Sequence, residues 1–193
     1  MGQDASQSVS EHPRFLNFGC GYSKIHSAHG IQWINVDLYG EPDVRWDLNV
    51  TPYPWPDEHF DGIVAHHVFE HLVDWWAAFC ECARILKPGG FLDFRVPDES
   101  SSSALAYRDH RHVFGLWSFH GVRGFTHGAN AWAVDEQDTV PFQMVRYTKV
   151  PFEDYQWLAR WFPRVYDFCA SHLRNFVWEQ QFEFRKIGDK HGK

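Results

Sequence analysis

Gly19, Cys20 and Gly21 interrupt the apolar run Phe15-Leu-Asn-Phe18, and an acid, Asp37, closes the next run at Trp33-Ile-Asn-Val-Asp37. A buried strand that breaks into Gly-x-Gly lets backbone approach a ligand closely. A carboxylate at the tip of the neighbouring strand accepts hydrogen bonds from a ribose. The pair points to a nucleoside-containing cofactor lying across the carboxyl ends of a parallel sheet. Histidines form a second set. His67-Val-Phe-Glu-His71 has the H-x-x-E-H spacing of an inverted zincin, which on a helix puts two imidazoles on one face. No third ligand stands at a recognisable spacing from it. His66 and His67, at the carboxyl end of another apolar run, are expected either to shape a pocket or take a proton, or to cap and pack a helix start. In Asp109-His110-Arg111-His112 an imidazole suits a general base for a hydroxyl or amine, and the arginine suits an anionic group. The same residues also read as a solvated turn with a His–Asp hydrogen bond.

Positioning these groups requires strands and one helix. Arg14–Phe18, Gln32–Asp37, Val44–Leu48, Phe60–Ala65 and Phe91–Val96 read as five short strands. Val68, Leu72, Trp75, Phe79, Ala83 and Leu86 recur at spacings of three and four, one apolar helix face, and Lys87-Pro-Gly-Gly90 stops that helix. This alternation implies a parallel sheet covered on both faces. Residues 98–150 lack a steady period and read as an irregular insertion, with a strand at Phe142–Val150 and aromatics (Phe114, Trp117, Phe119, Phe125, Trp132) that are core before they are an acceptor platform. Pro151–Phe162 is expected to be helical and ended by Pro163, with Arg164–Cys169 and Asn175–Ile187 as two closing strands. The expected organisation is one domain over 14–190, preceded by a disordered polar tail over 1–13.

Composition narrows the function. The 193 residues are 44% hydrophobic and 18% aromatic, enough for one well-packed domain and too few for two ordinary ones. A formal charge of −7 disfavours nucleic acid and anionic membrane surfaces as partners. Cys20, Cys80, Cys82 and Cys169 have neither zinc-ribbon nor secreted-disulfide spacing, which fits reduced thiols in the cytoplasm. No apolar run reaches transmembrane length.

Read in order, Leu16-Asn-Phe-Gly-Cys-Gly21, Ile34-Asn-Val-Asp37, Trp46-Asp-Leu48, Phe60-Asp-Gly-Ile-Val64, Glu70-His-Leu72 and Arg84-Ile-Leu-Lys-Pro-Gly-Gly90 resemble the successive motifs of class I S-adenosylmethionine-dependent methyltransferases, of the small type 11-like group. The resemblance spans residues 14–98. It implies a doubly wound α/β fold, a mostly parallel sheet with an antiparallel last strand, and S-adenosyl-L-methionine as cofactor. It also implies that Phe18, Gly19, Cys20, Gly21, Asp37, Leu38, Asp47, Leu48 and His66 bind the cofactor, with Gly19 and Gly21 meeting the methionine end, Asp37 the ribose hydroxyls, Asp47 and Leu48 the adenine, and His66 beside the methyl group. His66, His110, Arg111 and His112 are the expected groups near the acceptor, and no metal is expected. A dinucleotide site fits less well. The third glycine position is Lys24, and Tyr22–Ile31 leaves room for a turn or two of helix at most.

The acceptor is expected to be a small molecule, sugar or glycan precursor with an oxygen or nitrogen nucleophile. Amino-group DNA methylases carry Asn/Asp-Pro-Pro-aromatic where this chain has Ala65-His-His-Val68, and neither Cys80 nor Cys169 follows a proline as a cytosine-C5 nucleophile does. Two other classes remain open: a non-catalytic relative that binds or assembles, and a zinc hydrolase built on His67, Glu70 and His71.

Overall fold

The computed structural model describes residues 12–120, 122 and 140–188. The expected tail thus lies outside them except for His12 and Pro13, as do Phe125 and Trp132. Seven strands form one sheet: β1 (Arg14–Phe18), β2 (Gln32–Asp37), β3 (Val44–Arg45), β4 (Phe60–His66), β5 (Leu86–Pro97), β6 (Phe142–Pro151) and β7 (Val177–Lys186), in the order β3-β2-β1-β4-β5-β7-β6. The first five pair in parallel, while β7 runs antiparallel to both β5 and β6. The helices are α1 (Trp75–Ile85), α2 (Ser102–Ala106), α3 (Gln156–Trp161) and α4 (Pro163–His172). None of the described helices is long and apolar enough to cross a membrane.

Strand alternation sends Leu16, Phe18, Ile63, Ala65, Leu92 and Phe94 to one face, where α1 packs. Phe79 of α1 is fully buried, and its ring meets those of Phe94, Phe142 and Phe184 with centroids 4.9–6.3 Å apart. Phe114 and Phe119 join the same cluster, so two of the insertion's aromatics are core, whereas Trp117 is exposed. Asp74 starts α1 by accepting the Ala77 N–H at 2.9 Å. The helix is shorter than the periodicity suggests. Val68 and Leu72 keep their burial, but they flank a single 3-10 turn, Phe69–His71, that precedes it.

On the opposite face, no helix among the described residues joins β1 to β2, β2 to β3 or β3 to β4. Over β1 and β2 its place is taken by the loop after Gly21, held by buried amides. Asn17 Nδ2 donates to Ser23 O at 3.1 Å and to Asn35 Oδ1 at 2.9 Å, and Asn35 Oδ1 also accepts from Ile25 N at 2.8 Å. Asn35 in turn donates to Asp43 from both its backbone N–H and its side chain, at 2.8 and 2.6 Å. Further along that face, glycine at 62 lets two rings approach, since a Cβ there would fall 2.5 Å from Phe91 and 2.8 Å from Phe15.

Lys24 beside Asp43, together with the Asn35 donors, lowers the Asp43 pKa from 3.8 to about 2. A carboxyl group whose folded pKa is depressed stabilises the fold above its unfolded value and loses that contribution as pH falls through the folded one. Asp43→Asn is therefore expected to be less stable than wild type at neutral pH, with the difference narrowing between about pH 4 and pH 2. Denaturant midpoints across that range check this; a gap that does not change with pH would refute it.

Two further elements differ from expectation. β3 ends at Arg45 and not Leu48, because Asp47 Oδ1 takes the N–H and side-chain amide of Asn49 in a turn. Arg164–Cys169 is helical as part of α4: Pro163 begins it, and Tyr166 and Ala170, four apart, bury one stripe against Val177. The partner of β7 in the closing hairpin is accordingly β6.

Candidate functional site

At the carboxyl ends of β1, β2 and β4 the chain opens a crevice of about 490 Å³. Its first wall is the turn after β1. Gly19 and Gly21 have φ of 62° and 50°, and a Cβ on Gly19 would lie 2.4 Å from Val68 Cγ2. Only glycine combines that backbone with that contact. Asp37 faces the crevice from the tip of β2. Its Oδ2 accepts the Gly21 N–H at 2.7 Å and its Oδ1 the Tyr39 N–H at 2.8 Å. Each carboxylate oxygen retains a lone pair for a further donor. The Arg45 guanidinium holds the next turn, donating to Leu38 O at 2.5 Å and Gly40 O at 2.9 Å. Asp47 and Leu48 line the far side, where the Tyr53 hydroxyl donates to Leu48 O at 3.1 Å.

The expected cofactor residues separate into two groups. Gly19, Asp37, Leu38, Asp47 and Leu48 line the crevice together. Phe18 and Cys20 are buried beneath it, Phe18 against Tyr53 and Trp55, while Gly21 acts through its bond to Asp37. Burial pushes the Cys20 thiol up, away from the thiolate form. His66 does not reach the crevice. It shares the face opposite α1 with its register partner Arg95, and its Nε2 pairs with Asp93 at 3.0 Å.

His67 lines the crevice instead, because a φ of 54° turns the chain there. Its Nε2 pairs with Glu179 at 2.7 Å and its Nδ1 with Glu70 at 3.3 Å. The hydrogen bond to Glu179, then the ion-pair contact with Glu70, outweighs burial and pushes the imidazole up to about 9. His67 is therefore positively charged at neutral pH. Within Asp109–His112 only Asp109 and Arg111 line the crevice, joined by Arg108. His110 points to Ala104 O at 3.4 Å and His112 to Val73 O at 3.3 Å. The zincin pair is not formed, since His67 stands outside the 3-10 turn and is engaged by Glu179. The described residues instead bring Glu70, His71 and His110 together, their ligating atoms within 4.8 Å of one another. Sequence reasoning left out Trp46 and Arg108. Trp46 had its place beside Asp47 as a signal, while Arg108 had none.

A second hollow, of about 580 Å³, is lined by Tyr107, Phe152, Tyr155 and Trp178 with the polar groups of Ser103 and Asn175. The His67 ring lies 6.2 Å from that of Trp178, one of the residues lining this hollow.

Comparison with known proteins bears on the fold that carries this crevice. Residues 16–94 match the methyltransferase domain family. An uncharacterized methyltransferase of Schizosaccharomyces pombe is 32% identical over 95 residues, 45% of this chain and 33% of that protein, so the chain spans about a third of the length of the curated relative it matches. Among solved structures, an S-adenosylmethionine-dependent methyltransferase from Archaeoglobus fulgidus superposes with a TM-score of 0.63 at 16% identity, over 90% of this chain and 86% of that one. The 1,6-didemethyltoxoflavin-N1-methyltransferase of Burkholderia thailandensis, solved with S-adenosylhomocysteine, gives 0.56 at 13% identity, over 92% and 72%. These likenesses establish the shared fold.

Proposed function

We propose that this chain, whose residues 16–94 match the methyltransferase domain family, transfers a methyl group from S-adenosylmethionine to an oxygen or nitrogen nucleophile of a small-molecule, sugar or glycan-type acceptor. One observation carries the reading. Groups from three strand ends, Gly19, Asp37 and the pair Asp47–Leu48, converge on one crevice of about 490 Å³. A ligand with a sugar between a base and an amino-acid tail has a partner at each point.

When bound, the cofactor supplies a methyl group already activated on a sulfonium, so the protein's work is alignment and exclusion of water. Asp37 accepts from the ribose hydroxyls while keeping Gly21 and Tyr39 in place. Leu48 offers an apolar side to the adenine and Asp47 an acceptor. The acceptor's nucleophile would take the methyl group that the bound cofactor supplies and would release its proton to solvent water. His67, already protonated, is a donor and positive pole beside the reacting region, not the base. The aromatic hollow near His67 supports a small acceptor, and Arg108 and Arg111 favour one that carries an anionic group.

The test is incubation with methyl-labelled cofactor and a panel of small hydroxyl and amine acceptors, read by mass spectrometry. Label transfer together with S-adenosylhomocysteine formation is the expected result. Cofactor binding with no product on any acceptor would favour a binding or assembly role, and no cofactor binding at all would sink the reading.

A further inference from the structure

We propose that Glu70, His71 and His110 form a binding site for one divalent first-row transition-metal ion at the edge of the crevice. Their ligating atoms already lie within 4.8 Å of one another. Two imidazoles and a carboxylate suit the manganese-to-zinc series, whereas magnesium and calcium want oxygen ligands. Bonds of about 2.0–2.2 Å set ligand atoms roughly 3–3.5 Å apart, so the trio must close by roughly an ångström. His71 and His110 are only half-buried and have room to do so.

Glu70 supplies the second observation. The residue is 1% exposed, and neither carboxylate oxygen accepts a hydrogen bond; its ionic neighbour is His67, with Nδ1 3.3 Å from Oε1. His67 meets only Oε1, so Oε2 stays buried with no partner, and a cation that reaches it would remove that cost. His67 keeps Glu179 as a partner when Glu70 turns to an ion.

The orientation of the two rings is the third. His71 Nδ1 faces the Asp109 backbone carbonyl and Oδ2, both at 3.3 Å, and His110 Nδ1 faces Ala104 O at 3.4 Å. Carbonyl and carboxylate oxygens only accept, so in the neutral form of each ring Nδ1 carries the hydrogen and Nε2 is the nitrogen left to ligate. Outer partners of this kind orient imidazoles that hold metals. The backbone reinforces the arrangement. The Arg111 and His112 N–H groups both donate to Glu70 O, at 2.7 and 3.3 Å, clamping the loop against the turn. That clamp leaves the His71 and His110 rings edge to face, centroids 4.9 Å apart. Since His71 lines the crevice, a bound ion would stand beside the acceptor space; that placement, unlike the metal binding, rests on the proposed methyl transfer.

Cobalt(II) is the probe. Titrating the metal-stripped full chain should produce a visible d–d absorption that saturates at one equivalent and is displaced by zinc. His110→Ala and Glu70→Gln should each weaken binding by about 100-fold or more. The other histidines make weak adventitious binding expected, so the comparison with variants decides. If Glu70→Gln fails to fold, as judged by far-ultraviolet circular dichroism, His110→Ala carries the test. The proposal is overturned if wild type shows no saturable band, or if folded His110→Ala binds cobalt as tightly as wild type. Cobalt binding that persists in a chain inactive on every acceptor upholds the site and counts only against methyl transfer.

Discussion

Asp37→Ala is expected to weaken binding of S-adenosylmethionine and S-adenosylhomocysteine by at least about 100-fold in calorimetry. Hydrogen bonds to a charged group contribute about 1.5–3 kcal/mol each, and two ribose donors reach this carboxylate in the proposed complex. The substitution also frees the Gly21 and Tyr39 N–H groups that Asp37 holds at 2.7 and 2.8 Å, loosening the walls on both sides of the ribose. Asp37→Asn separates the two effects. It keeps one acceptor oxygen but turns an amide NH₂ toward a backbone N–H, so an intermediate loss is expected. An Asp37→Ala protein that binds within about threefold of wild type would remove the ribose assignment, since so small a change is under 1 kcal/mol.

Gly19→Ala should damage both folding and binding. An L-residue at φ near 62° costs roughly 1–2 kcal/mol, and the new methyl would sit 2.4 Å from Val68 Cγ2. Relief requires moving Val68, which lines the crevice next to His67. A fall of roughly 4–10 °C in melting temperature is expected for a chain of this size, with cofactor affinity down by about tenfold or more. Adding Val68→Ala should recover the steric part and leave the backbone part. The double variant therefore tests the mechanism: stability no better than the single variant would show that the clash with Val68 is not the cause. A single variant that matches wild type in melting and binding would refute the whole account.

Much of this architecture was readable before any coordinates, and the reason is local. Apolar residues in β1, β2, β4 and β5 sit in short runs bounded by turns, and the turn after β1 needs backbone that only glycine adopts cheaply. Asp37 could be found because the end of a strand is where its last side chain meets whatever crosses the sheet. Helix α1 was legible from spacing, although Val68 and Leu72 extended the apparent period. Both pack on the same core from a separate turn, and burial does not distinguish one helix from two segments sharing a face.

What the sequence alone determined, then, was the parallel core, the glycine turn and its facing carboxylate, each dictated by residues close together in the chain. Tertiary structure decided the rest. Residues 164–169 carry aromatic and β-branched side chains that suit a strand, yet they became helix because Tyr166 and Ala170 find Val177 to bury against. Between the adjacent His66 and His67, strand register sends one to Asp93, and a left-handed turn with Glu179 waiting 112 residues later brings the other to the crevice. Contacts made across that separation leave no trace in a local pattern, and they decide which imidazole lines the crevice.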